Sequence, residues 1–178
     1  IGLHFAKKPV ENVYASGVIA GGKGTGLLRN FFMIPAGDEA FKLSGERYAT
    51  KDFTLYTISP HMHLVGKSIK LTMFPPDGKA KTLLAIDQWD YNWQDIYSLK
   101  EPIHVKAGTR FQVDAVYDNS SKNPMNPSNP PRLVTFGEQT TNEMCFVFLG
   151  GSPGVLRPSG NRSLPLSTTA PVQTQSKR

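Results

Sequence analysis

The sequence is poor in several features that would assign it quickly to a common class. Its 178 residues include one cysteine, Cys145, so an internal disulfide is impossible and the redox compartment stays undetermined. It has no run of about 18 apolar residues, so we expect no transmembrane helix. No segment sustains the apolar period of about 3.6 residues that marks an amphipathic helix. The length suits one domain, with or without a tail.

The net charge does not indicate a nucleic-acid-binding protein. The chain carries a formal charge of +6, from 20 basic and 14 acidic residues. Residues 151–178 hold four of the basic residues and none of the acidic ones, so the first 150 residues carry only +2. Because the excess lies in this last segment, we expect no basic face on the globular part and no nucleic-acid partner.

Residues 151–178 also differ from the rest in composition. They contain no aromatic residue, four prolines and many serines and threonines. Such a segment cannot bury enough apolar area to offset the entropy lost on ordering. The sequence therefore predicts a domain over residues 1–150 and a disordered tail or interdomain linker over residues 151–178.

Short stretches of alternating apolar and polar residues dominate the first 150 residues. This period of two places apolar side chains on one face of a strand, and Pro75–Gly78 supplies a turn between two such stretches. The predicted strands cover residues 53–59, 68–74, 81–86, 109–117 and 143–149. We therefore predict an all-β fold, an antiparallel sandwich of many short strands.

One long loop interrupts this pattern. Residues 118–131 contain three Asn-Pro pairs, and proline has no backbone N–H to donate within a sheet. The segment is predicted to be either an ordered excursion or a mobile flap, and long loops of this kind are often functional.

The strongest functional motif is a pair of histidines followed far along the chain by a methionine. His61 and His63 stand two residues apart on an extended segment, so their side chains share a face. Ser59–Pro60 is expected to end the strand just before them. Met144, within a Glu-Met-Cys triplet, could bring a thioether from another strand. Two imidazoles and one thioether suit copper, above all Cu(I), better than zinc or magnesium.

Each part of this motif also has a simpler interpretation. Taken alone, the two histidines are as well explained by a half-exposed strand as by a metal site. Met144 taken alone is best explained as a core residue, and Phe146 and Phe148 share its face.

Other candidate residues are better explained by structure than by chemistry. His104 is predicted to face solvent from a strand, His4 lies near the N-terminus, and Cys145 should be a buried small hydrophobe. The glycine-rich residues 21–26 lack the spacing of a phosphate loop, which favours a flexible hairpin loop. Asp87, Asp90 and Asp95 lie among the aromatic residues Trp89, Tyr91 and Trp93. This stretch is predicted to be a solvated loop in which the aromatic residues serve as anchors.

At the histidine and methionine motifs the chain resembles the copper type II, ascorbate-dependent monooxygenases. This is the family of peptidylglycine α-hydroxylating monooxygenase and dopamine β-monooxygenase. The likeness covers residues 1–150 and is to the C-terminal of the family's two copper domains. The matching stretches are His61–Lys67, Asp90–Gln94 with Tyr97, Gly108–Asn119 and Glu143–Cys145. The combination of the two motifs is far more specific than either alone.

The resemblance implies a jelly-roll-like β-sandwich in which His61 and His63 ligate one copper ion and Met144 supplies a weak thioether ligand. In the family this copper is where dioxygen binds and where a substrate C–H bond is hydroxylated. The implied partners are a small-molecule substrate, dioxygen and an electron donor such as ascorbate or a redox domain. Copper loading implies a periplasmic or extracellular location.

Three departures from the family narrow these expectations. The family's second copper is held by three histidines in an N-terminal domain with no counterpart in this sequence, so we expect one copper. Where the peptidylglycine branch has an arginine, an asparagine and a tyrosine toward its substrate, this chain has Ser59, Phe146 and Phe148, so a peptide carboxylate is not the expected substrate. Near Ala115 there is no cysteine to pair with Cys145 in the family's disulfide.

Three functions follow from these residues. The first is a copper-dependent monooxygenase domain. The second is a non-catalytic copper-binding accessory β-sandwich of a larger redox protein. The third is a structural sandwich, which would bind no stoichiometric copper.

Overall fold

The computed structural model describes residue 2 and residues 15–20, 32–152 and 156–157. His4, the glycine-rich residues 21–26 and most of the predicted tail lie outside these residues, so the predictions made for them stay predictions. The regular structure of the described residues consists of strands, with no helix among them, which confirms the all-β class. In the same residues there is no helix long and apolar enough to cross a membrane.

Eleven strands are described, and every pairing between two of them is antiparallel. In chain order they are β1 (Ala15–Ala20), β2 (Met33–Ile34), β3 (Phe41–Ala49), β4 (Phe53–His61), β5 (Gly66–Phe74), β6 (Lys81–Ile86), β7 (Tyr97–Val105), β8 (Arg110–Tyr117), β9 (Val134–Thr135), β10 (Phe146–Ser152) and β11 (Leu156–Arg157).

Two larger sheets carry the fold. One sheet has the order β1-β10-β4-β7, and the other has the order β11-β3-β8-β5-β6. The short strands β2 and β9 form a separate ribbon. Apart from β5 and β6, neighbours within each larger sheet are not consecutive in the chain, so the chain crosses repeatedly from one sheet to the other. This is the connectivity of the predicted jelly-roll-like sandwich.

The core lies between the two sheets and follows the alternation of the strands. In β8 the predicted apolar face is buried, and the intervening residues are more exposed. The buried side chains of β8 are Phe111, Val113, Ala115 and Tyr117, and those from the opposite sheet include Leu55, Ile58, Val147 and Leu149. The rings of Phe53 and Phe111 have centroids 6.4 Å apart, which is a direct contact between the two sheets.

The predicted strands are present, with differences at their ends. β6 has the predicted bounds, and β10 begins at Phe146 rather than at residue 143. β10 also continues to Ser152, and Leu156–Arg157 pair with β3, so strand structure extends past the predicted domain boundary at residue 150.

The prediction that Ser59–Pro60 ends the strand before the histidines is wrong. β4 continues through His61, and Pro60 pairs with Val147 of β10. The pairing with β7 on the other side stops at Ile58. Pro60 therefore lies where the strand has one neighbour, and a missing backbone donor is tolerated there.

The Asn-Pro loop is an ordered excursion, one of its two predicted forms. Asn119 is fully buried, and its Nδ2 donates to the carbonyl oxygens of Ile34 (3.2 Å), Pro35 (2.9 Å) and Arg132 (2.7 Å). Its Oδ1 accepts from Asn126 Nδ2 at 2.9 Å. One buried side chain thus joins the start of the loop, its middle and the segment that follows it.

Candidate metal centre

The two histidines lie side by side at the end of a strand. His61 is the last residue of β4, and His63 follows in the short connection to β5. Their ring centroids are 5.0 Å apart, with the ring planes at 83°. His63 is buried and His61 is half-buried. The predicted convergence of the two imidazoles is therefore present.

Hydrogen bonds at Nδ1 determine which nitrogen of each ring can bind a metal. His61 Nδ1 is 2.6 Å from Gln94 Oε1, and Gln94 Nε2 donates to the carbonyl of Tyr91, which fixes the orientation of the amide. His63 Nδ1 is 3.1 Å from the backbone carbonyl oxygen of Asn142. Both partners are acceptors, so each Nδ1 carries the proton and each Nε2 keeps its lone pair. Metal-binding histidines are typically held in this way.

The setting of His61 favours its neutral form. Burial lowers the pKa of His61 below 6.5, the hydrogen bond that His61 donates to Gln94 raises it in part, and the nearby His63 lowers it again. A metal binds the neutral imidazole and competes with the proton. At neutral pH this ring is thus ready to act as a ligand.

A buried carboxylate links the histidine segment to the methionine segment. Glu143 is fully buried, and its side chain accepts hydrogen bonds from the backbone N–H groups of His63 (2.8 Å), Val65 (2.9 Å) and Met144 (3.2 Å). The pKa of Glu143 is raised to about 7, because burial raises it by more than these backbone donors lower it. Glu143 therefore positions both segments relative to each other.

Met144 lies on the segment that Glu143 holds beside His63. Its backbone N–H donates to Glu143, and its carbonyl oxygen accepts from the hydroxyl of Tyr117 at 2.9 Å. Burial alternates along this segment, so Met144 lies on the less buried side together with Phe146. Phe146 in turn is the register partner of His61.

Within the part of the chain that the structure describes, no group of three or more His, Cys, Asp and Glu side chains is arranged to hold a metal. The groups brought together here are the two imidazoles, and Met144 lies on the segment that Glu143 joins to His63.

The indole of Trp89 supports the histidine segment. Trp89 Nε1 donates to the carbonyl oxygen of His63 at 3.1 Å. The indole packs against Gly66, where a Cβ would stand 2.8 Å from Trp89 Cδ1 and 3.0 Å from Met62 Cε. A side chain at position 66 would therefore push the tryptophan away from the histidine backbone.

Sequence reasoning did not assign roles to the residues that orient the rings. Gln94 belongs to a stretch that resembles the family, but nothing in its spacing connects it to His61. Asn142 acts through its backbone carbonyl, which any residue could supply. The only sequence signal for Trp89 is an aromatic residue among exposed polar ones.

The other candidate residues have structural surroundings. His104 is exposed and faces Asp52 at 3.7 Å, and Cys145 is buried toward the core, as predicted for both. Asp87, Asp90 and Asp95 are exposed, which confirms a solvated loop, but of its predicted aromatic anchors only Trp89 and Tyr91 are half-buried, and Trp93 is exposed.

Comparisons with known sequences assign this β-sandwich to a family. Residues 20–150 match the family described as copper type II ascorbate-dependent monooxygenase, C-terminal domain. This match covers most of the chain, so the chain belongs to that family.

Individual relatives are more distant. DBH-like monooxygenase protein 1 of Gallus gallus is 27% identical over 162 residues, which cover 83% of this chain and 24% of that protein. DBH-like monooxygenase protein 1 of Homo sapiens is 26% identical over 147 residues, which cover 76% of this chain and 22% of that protein. The chain thus spans about a quarter of the length of these curated relatives.

Proposed function

We propose that this chain is the oxygen-activating copper domain of a monooxygenase. One copper ion would be held by His61 Nε2, His63 Nε2 and the thioether of Met144. The observation that carries the proposal is the pair of adjacent imidazoles whose Nδ1 atoms both donate to oxygen acceptors, which leaves both Nε2 atoms for a metal.

Copper in such a site would supply dioxygen chemistry. In the overall reaction one oxygen atom of dioxygen would enter a substrate C–H bond as hydroxyl and the other would leave as water, with two electrons from an ascorbate-type reductant and two protons. The residues of the chain have simpler tasks. Gln94 and the Asn142 carbonyl hold the two rings, and Glu143 sets the distance between the histidine and methionine segments. The partners are then a small-molecule substrate, dioxygen and an electron donor, either ascorbate or a redox domain.

Copper loading of such a site supports a periplasmic or extracellular location. In this proposal residues 1–150 form the copper domain, and the last segment, whose first residues complete β10 and form β11, leads into a linker or tail.

A titration with Cu(I) tests the ligand set. The metal-free chain competes with a chromogenic Cu(I) chelator, and the wild type is expected to bind one equivalent. Met144→Ala should weaken binding of Cu(I) by about tenfold or more, because a soft ligand is lost. Met125→Ala is the matched control, since Met125 is exposed and lies outside the candidate site. Equal affinities of the two variants would remove Met144 from the site.

The alternative is a non-catalytic copper-binding accessory β-sandwich of a larger redox protein. It is favoured by the presence of one candidate metal site in a chain that spans about a quarter of its relatives. Copper-dependent oxygen consumption with ascorbate, accompanied by a hydroxylated product, would exclude it. Stoichiometric copper binding without turnover, with reductant present, would support it.

A further inference from the structure

The ring of Tyr91 lies against the ring of His63. Their centroids are 6.2 Å apart and their planes stand at 89°, so the two rings meet edge to face. Gln94 holds the backbone of Tyr91 in this place, because its Nε2 donates to the Tyr91 carbonyl oxygen at 2.8 Å while its Oε1 lies 2.6 Å from His61 Nδ1. Tyr91 is therefore positioned by one histidine and in ring contact with the other.

Tyr91 also reaches the solvent. Its side chain is half-buried, whereas His63 is buried, and the next two residues along the loop, Asn92 and Trp93, are exposed. A small solute can therefore contact the Tyr91 side chain from outside. One residue thus touches both the buried imidazole and the surrounding solution.

The contact between the rings can be explained by packing alone. Two aromatic rings that meet edge to face stabilise the loop that carries them, and a phenylalanine would pack in the same way. What the hydroxyl group adds is chemistry. A phenol gives up a hydrogen atom readily, because the unpaired electron that remains is spread over the ring, and neither imidazole nor a phenylalanine ring does so as easily.

We propose that Tyr91 protects the candidate metal centre by giving up its phenolic hydrogen atom to oxidants formed there, in place of oxidation of His63. This inference rests on the proposed function, because it takes the histidine pair as a copper site. Protection is needed when dioxygen takes up two electrons and two protons and becomes hydrogen peroxide, with no substrate hydroxylated. An oxidant formed beside the imidazoles would otherwise destroy a ligand.

The proposed steps conserve atoms and electrons. Hydrogen peroxide takes one electron from Cu(I) and splits into hydroxide and a hydroxyl radical. The hydroxyl radical takes the hydrogen atom of the Tyr91 O–H bond, which gives water and a phenoxyl radical. One hydrogen atom from the ascorbate-type reductant then restores the phenol, and this solute can reach Tyr91 because the side chain is only half-buried.

A peroxide challenge of the copper-loaded chain tests the proposal. The full chain receives one equivalent of Cu(I) and then hydrogen peroxide, with no organic substrate present. Peptide mapping by mass spectrometry measures the rate at which oxygen is inserted into each histidine. Tyr91→Phe keeps the ring and loses the O–H bond, so oxygen insertion into His63 should become several-fold faster than in the wild type.

Tyr48→Phe is the matched control for this variant. Tyr48 is exposed on β3, in the sheet that does not carry His61, and loses the same hydroxyl group. Its rate of His63 oxidation should equal that of the wild type. A role of Tyr91 in packing alone predicts the same unchanged rate for Tyr91→Phe.

Electron paramagnetic resonance identifies the radical. Wild-type protein frozen soon after the addition of peroxide should show a phenoxyl signal, and ascorbate added before freezing should remove it. Tyr91→Phe should lack this signal, whereas Tyr48→Phe should keep it. This readout does not depend on turnover of a substrate.

The two proposals fail in different ways. Equal rates of His63 oxidation in Tyr91→Phe and Tyr48→Phe, or a phenoxyl signal that persists in Tyr91→Phe, would overturn the inference and leave the copper site in place. Oxidation of Tyr91→Phe that is independent of copper, or that spares both histidines, would instead overturn the proposed function. Protection by Tyr91 would then fall with it.

Discussion

The carboxylate of Glu143 and the backbone N–H of His63 are 80 positions apart in the sequence and 2.8 Å apart in the structure. The other oxygen of the same carboxylate accepts from Val65 at 2.9 Å. A single buried side chain thus replaces the missing sheet pairing between the histidine turn and the segment that precedes β10. His63 and Met144 both lie outside the paired strands, so their relative placement depends on this carboxylate.

Removal of this carboxylate should destabilise the fold. Glu143→Ala leaves three buried backbone N–H groups without their acceptor, and we expect a loss of about 3 kcal/mol in the free energy of unfolding. Urea denaturation measures this loss. Glu138→Ala is the control, because Glu138 is an exposed glutamate close to Glu143 in the sequence. Equal stabilities of the two variants would show that Glu143 does not hold the two segments together.

The stability of the metal-free protein should fall as the pH rises from about 4.5 to about 7. Burial raises the pKa of Glu143 from 4.5 to about 7, so between these values the folded state holds a proton that the unfolded chain has released. The contribution is complete below the unfolded pKa and is lost as the pH passes the folded pKa. Its size is roughly 3 kcal/mol.

His61 acts in the opposite direction and requires a difference measurement. Its folded pKa is lowered, so its contribution to stability is present above pH 6.5 and is lost as the pH falls through the folded pKa. The pH profile of the wild type is therefore compared with that of Glu143→Gln, which keeps His61 and has no ionisable group at position 143. A difference between the two profiles that stays constant from pH 4.5 to 7 would contradict the raised pKa of Glu143.

The strands that could be predicted from sequence are those with regular alternation and clear turns. β6 follows Pro75–Gly78, and β8 follows a glycine turn and buries every second residue. β3 was not predicted, because its burial pattern is irregular and Gly45 lies in its middle. β7 was not predicted either, since it is an edge strand with mostly exposed residues, which leave little apolar periodicity to detect.

The candidate site was predictable only in part, for a related reason. His61 and His63 can be found because the two histidines lie within three residues. Gln94 approaches His61 from a loop 33 positions away, and its role depends on how that loop folds back. The Asn142 carbonyl has no side-chain signal at all. The histidine pair is thus visible within a short stretch of sequence, whereas the groups that orient the two rings are brought together only by tertiary structure.

Gln94 should control the copper affinity of His61. In Gln94→Ala the Nδ1–H of His61 loses its acceptor, so the ring can rotate and change tautomer, and we expect Cu(I) affinity to fall about 10- to 100-fold. Gln94→Glu keeps an acceptor oxygen and should retain most of the affinity. Chelator competition measures both values, and Gln88→Ala at an exposed position is the control. An affinity of Gln94→Ala equal to that of the control would mean that the hydrogen bond does not orient the ring.

Asn119 should determine whether the loop of residues 118–131, which leads toward Phe136, stays ordered. Its amide joins Ile34, Pro35 and Arg132, and Asn119→Ala would leave three carbonyl oxygens, one buried and two part-buried, without this donor. We expect a loss of about 2 to 3 kcal/mol in unfolding free energy. Faster proteolysis within residues 118–131 should accompany this loss, because the amide of Asn119 joins the loop to the segments before and after it.

Asn92→Ala is the control for this prediction, since Asn92 is an exposed turn residue whose side chain bonds only locally to Asp90. Proteolysis is followed by mass spectrometry, which locates the first cleavage. Unchanged proteolysis with a lower stability would place the role of Asn119 in the β2–β9 ribbon rather than in the loop.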